Sequence, residues 1–207
     1  MVLADVYSEA IQMCNDSEKL ISDTNEFHGN AVSSNGITYS NQLHACVIDG
    51  AFLNLFMALE SFLEKSFICF MMGQSGLNGN SFTRYVMPVD EKMAADMLKG
   101  NSRHTDFTNR DTVLQLAKNF FDSAGSYVYL NSIASDFEEM KKIRNAISHI
   151  SEDSKTKFHG VVRSKLGAIP PNVTTASFLN TMTSAGTTYF CHYKAIIVAA
   201  IDNIANP

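Results

Sequence analysis

From residue 2 to residue 21 the apolar side chains fall at 3, 6, 10, 13, 14, 20 and 21, the three- and four-residue spacing that predicts an amphipathic helix. The polar run NEFHGNAVSSNGITYSNQ, with Gly29 and Gly36, then reads as a loop covering about 23–40. Residues 41–72 are apolar nearly all round, which predicts a helix at the centre of the core. The connection GQSGLNGNS is rich in glycine, but no strand precedes it and no Lys follows in G-K-[ST] order, so it lacks the parts of a phosphate loop. Asp90 predicts the cap of a short helix ending at Gly100, and Thr108 with Asp111 resembles a capping box opening a helix through DTVLQLAKNFF to about Gly125. A further helix is predicted over about 132–149, followed by a basic loop. Pro170 and Pro171 forbid helix, and TTASFLNTMTSAGTTYFCHYKAIIVAAIDNIA supplies one long final helix, with a break at Gly186 as the alternative. No run alternates with period two for long enough to make a sheet, and no internal repeat is visible. The pattern predicts an all-α fold, a bundle of five or six helices forming a single domain over 1–207.

Composition narrows the class. A chain of 207 residues that is 45% hydrophobic and 18% charged can fill one core and lacks the signature of disorder. Its greasiest stretch, AFLNLFMALESFLEKSFICFMM, carries Glu60, Glu64 and Lys65, so we expect a buried core helix and no membrane span. Acids stand near the N-terminus where a signal peptide has basic residues, which points to a cytoplasmic protein. The four cysteines (14, 46, 69 and 191) form no C-x-x-C pair and read as reduced structural thiols. The six histidines include no H-E-x-x-H and no Glu-x-x-His, so no metal and no cofactor is expected, and G-x-S-x-G is absent. His44 near Cys46, and Cys191 beside His192, read as helix residues in preference to a nucleophile pair.

The charge is unevenly placed. The chain carries −5 overall, yet residues 141–165 hold seven Lys or Arg against Glu152 and Asp153, a local +5 that leaves −10 elsewhere. Such an island is either a solvated surface or a field suited to a phosphate backbone, for which Lys142, Lys155, Lys157, Arg163 and Lys165 are the candidate contacts.

Within the island lies EEMKKIRNAISHIS, residues 138–151. At 100° per residue, Ile133, Phe137, Met140, Ile143 and Ile147 share one stripe about 120° wide, which predicts the docking face. Glu138, Lys141, Asn145 and His149 line the opposite face, while Arg144 stands at the flank of the apolar stripe. Arg144 and His149 are therefore about 140° apart on a straight helix. Either the last turn is distorted before His149, or a second copy of the helix supplies the missing member through a two-fold axis.

The segment DFEEMKKIRNAISH resembles the signature of HEPN domains, an Arg, then a polar residue, and a His near a helix end: R-x4-H, here Arg144, Asn145 and His149. The upstream NLFMALESFLEK resembles the long helix with an internal acid, here Glu60, of the RiboL-PSP and MAE-type branches. The resemblance is strongest over residues 40–150. It implies a helical, homodimeric, metal-independent endoribonuclease in bacterial defence or a toxin–antitoxin system, with Arg144, His149 and Asn145 catalytic. Glu60, Lys141 and Ser148 become candidate supporting residues, and the implied partners are RNA, a second copy and an antitoxin or regulatory protein. The motif departs from the R-x4-H-x-Tyr variant, since position 151 is Ser. Two other readings stand beside it: a non-catalytic HEPN-like dimeric binding module, and a plain helix end, where Arg and His are favoured by the helix dipole.

Overall fold

The computed structural model describes residues 1–29, 41–100 and 105–207. Among them the chain forms eight α-helices: α1 Leu3–Gly29, α2 Asn41–Met71, α3 Glu91–Lys99, α4 Arg110–Phe120, α5 Ala134–Ser148, α6 Glu152–Leu166, α7 Thr175–Leu179 and α8 Tyr189–Ala205. A 3-10 segment occupies Asp122–Asn131. No strand occurs among the described residues, where isolated bridges join Arg84 to Phe121 and Met182 to Thr188. The fold is all-α, a helical bundle with more helices than the five or six predicted.

The difference has two local causes. The basic stretch expected to be a loop is helix α6: the Ser151 hydroxyl accepts the Ser154 N–H at 3.1 Å, acids fill the first turn and Arg163 and Lys165 the last, and all three features favour a helix. It stops at Gly167, whose φ of 76° suits a residue without Cβ. The expected final helix is broken in two: a capping box between Thr174 and Ser177 starts the short α7, and a turn through Gly186, with Thr183 N–H bonded to Thr187 C=O at 2.7 Å, separates it from α8. Helix α4 is capped by Asn109, not Thr108, and ends at Phe120 because Phe121 is extended, after which Ser123, Ala124 and Gly125 take positive φ. Helix α1 also runs on to Gly29, past the expected loop start; the remainder of that loop, 30–40, lies outside the described residues.

The chain divides into two compact units. The first comprises Met1–Gln12, Met57–Phe137 and Ile197–Pro207. Its core is aromatic: Phe67 stacks on Tyr127 with centroids 4.0 Å apart, Phe121 packs against both, and the Tyr127 hydroxyl meets that of Ser66 at 2.9 Å. The chain's last turn closes this unit. Tyr7 donates to Asp202 at 2.7 Å, Ser126 to the Ile204 carbonyl at 2.8 Å, and the Leu77 N–H to the Ala205 carbonyl at 2.8 Å.

The second unit comprises Met13–Phe56 and Glu138–Ile196. Phe52 of α2 meets Phe190 and Tyr193 edge-on, and Phe178 stacks on Tyr189 at 4.6 Å while meeting Phe158 of α6 at 5.9 Å. Helix α2 is long and apolar enough to cross a membrane by length and composition alone, and half of its most apolar window is buried in the protein. Cys14 and Cys69 are buried, and burial pushes both thiols up to about 11; Cys46 is exposed.

Candidate active site

Helix α5 buries Phe137, Met140 and Ile143, with Ile133 buried just before it, the face its periodicity predicts, while Ile147 is half-buried. The helix remains regular to its end: the His149 N–H donates to the Asn145 carbonyl at 2.9 Å, the ordinary four-residue bond. No distortion of the last turn brings Arg144 and His149 together. Arg144 is half-buried, and its Nη1 donates to Asn145 Oδ1 at 3.2 Å.

His149 follows the last residue of α5 and is exposed. It opens into a cleft of about 450 Å³ walled by Ala146 and His149 of the α5 end, by Ser151, Glu152, Lys155 and His159 of the α6 start, and by Val173, Thr174 and Thr175 leading into α7. Phe158 and Ile150 complete the lining. The third wall is tied down by Thr175, whose hydroxyl donates to Asp49 Oδ1 of α2 at 2.7 Å. Burial holds the Asp49 carboxyl above its ordinary pKa, and the Thr175 hydrogen bond offsets part of that rise. Phe158, buried beneath the cleft, packs on Phe178 and so fixes which side of α6 faces it.

Of the residues expected at the site, the cleft brings together His149 and Lys155. Arg144 and Asn145 do not line it. Ser148 is exposed at the helix end, and Lys141 and Lys142 are half-buried along α5. Lys157 pairs with Asp153 one turn earlier on α6 at 2.7 Å, and Lys165 is bonded to the buried Glu139 at 2.8 Å, where the Tyr193 hydroxyl also donates at 3.1 Å. Arg163 is exposed two turns beyond Lys155. Glu60 is half-buried on α2 in the first unit, whereas Arg144 and His149 belong to the second.

The residue that sequence reasoning passed over is His159, which stands in the cleft beside Lys155. Its signal was the spacing Lys155, His159, Arg163, four residues apart each time, which becomes a stripe only once the stretch is known to be helical. Among the described residues no three His, Cys, Asp or Glu side chains converge as a metal site. No family model, curated protein or solved structure matches the chain.

The cleft holds two imidazoles, one ammonium and one carboxylate around a space open to solvent. Imidazoles exchange protons near neutral pH, and an ammonium binds phosphate, so the set suits proton transfer at a phosphodiester.

Proposed function

We propose that the chain is a metal-independent endoribonuclease of HEPN type, acting as a cytoplasmic homodimer in bacterial defence or a toxin–antitoxin system. The observation that carries this reading is the position of His149: an exposed imidazole at the mouth of a cleft it shares with Lys155. His149 takes the proton of a ribose 2′-hydroxyl, the 2′-oxygen attacks phosphorus, and the 5′-oxygen leaves with a proton. The products carry 2′,3′-cyclic phosphate and 5′-hydroxyl ends. Because a regular α5 points Arg144 about 140° away from His149, each guanidinium serves the His149 of a second copy, where it neutralises charge on the phosphoryl oxygens. Helix α2 is a core helix in this reading, since Phe52, Leu55, Phe56, Leu59, Phe62 and Leu63 are all buried.

The test is incubation of purified protein with a mixed RNA pool in EDTA, beside His149→Ala. Cleavage by the wild type alone, leaving cyclic phosphate ends, is the expected result; equal inactivity would sink the enzymatic reading. One observation favours the non-catalytic binding module instead: the Arg144 guanidinium donates to its own neighbour Asn145. In that case His149→Ala would retain every partner the wild type binds, whether antitoxin or regulatory protein.

A further inference from the structure

Transesterification of RNA moves two protons at opposite ends of one in-line path. One leaves the 2′-hydroxyl and the other arrives at the 5′-oxygen, so a single imidazole leaves half of the work undone. The cleft holds a second imidazole. His159 is half-buried on α6, and its ring lies 5.9 Å from that of Phe158, the buried residue that sets the rotation of the helix. Lys155 stands one turn before it and Arg163 one turn after, at steps of about 6 Å along one face. Lys155 and Arg163 are exposed, and neither side chain pairs with a carboxylate among the described residues, in contrast with Lys157 and Lys165. The end of α5 and the face of α6 that line the cleft therefore contribute one histidine each, His149 just after α5 and His159 on α6, with an uncommitted ammonium between the helix start and the second ring.

Resting on the ribonuclease reading, we propose that His159 is the second proton-transfer group, giving its proton to the departing 5′-oxygen, and that Lys155 holds the scissile phosphate between the two rings. The balance is complete. The 2′-oxygen to phosphorus bond forms as His149 takes the 2′ proton. The bond from phosphorus to the 5′-oxygen breaks, its electron pair goes to that oxygen, and the proton of the His159 imidazolium follows. No oxidant, metal or further reactant enters. The Lys155 to Arg163 stripe then leads the strand away from the cleft along α6.

A leaving group that needs no proton separates the two histidines. Wild type, His149→Ala, His159→Ala and His159→Gln are assayed on RNA and on a uridine 3′-nitrophenyl phosphodiester, with helicity and melting recorded for each. Binding of an uncleavable 2′-deoxy oligonucleotide is measured in parallel. The expected result is a loss of about 100-fold or more on RNA for both His159 variants, with the nitrophenyl ester cleaved within a few-fold of wild type and oligonucleotide affinity unchanged. His149→Ala should lose both reactions. Wild-type rates on RNA for the His159 variants would overturn the role of His159 and leave the ribonuclease reading standing. Equal loss on both substrates would also overturn it, making His159 a positioning or structural residue. A wild type that cleaves neither substrate would remove both proposals.

Discussion

At the scale of single residues, the most committed charge in the basic island is Lys165. Its ammonium meets Glu139, which is 8% exposed and also accepts from Tyr193, so removing it leaves a buried carboxylate without its cation and with the Tyr193 hydroxyl as its donor. Lys165→Met should cost about 2 kcal/mol in urea denaturation, below the range for a fully buried pair because part of the Lys165 side chain meets solvent. Oligonucleotide affinity should be unchanged in Lys165→Met and should fall in Lys155→Ala. Asp49 offers the opposite case. Its carboxyl is held above the ordinary value by burial, so it favours the fold when protonated, and its contribution declines as pH rises from the unfolded carboxylate range through the folded pKa. Asp49→Asn retains an acceptor for Thr175 without the charge. Thermal scans should show the variant melting above wild type at pH 7, with the gap closing towards pH 4.

At the scale of elements, helix α5 was legible and the α6 wall of the cleft was not, and of the residues expected at the site the cleft gathers His149 and Lys155. The core stripe of α5, its end near 149 and the caps at Asp90 and Gly100 follow from spacing and cap chemistry, which act within one turn. Helix α6 was hidden because its apolar contribution is only Phe158, Val161, Val162 and a few flanking positions, too sparse to set a period beside so many charges. Its Ser151 cap and Gly167 stop were nevertheless written in the sequence. The break between α7 and α8 depends on turn hydrogen bonds that hydrophobic spacing does not encode. Since α6 starts on one hydroxyl, Ser151→Ala should cost about 1 kcal/mol and raise hydrogen exchange across the first turn of α6, beside Lys155. In the turn after α4, Ser123 is exposed with φ of 53°, a conformation that glycine adopts freely. Ser123→Gly should therefore raise stability by about 0.5–1 kcal/mol, read from the urea midpoint.

At the scale of the whole molecule, the separation of Arg144 from His149 makes a prediction no single variant can. If each site takes its Arg from one copy and its His from the other, then Arg144→Ala and His149→Ala are each inactive alone but complement when mixed. Random exchange of subunits should restore about a quarter of wild-type activity, since half of the dimers are mixed and each holds one intact site. No recovery after verified exchange would place Arg144 outside the shared site. The division of the chain has a consequence of a different kind. The first unit needs residues 1–12 and residues 197–207, joined to each other by Tyr7 to Asp202, while Leu77 and Ser126 bond the Ala205 and Ile204 carbonyls. A ribosome that has made everything up to residue 196 has still not made what closes that unit. The first unit is therefore completed only once residues 197–207 have left the ribosome, and until then its aromatic core around Phe67, Phe121 and Tyr127 is what the nascent chain must keep from aggregating.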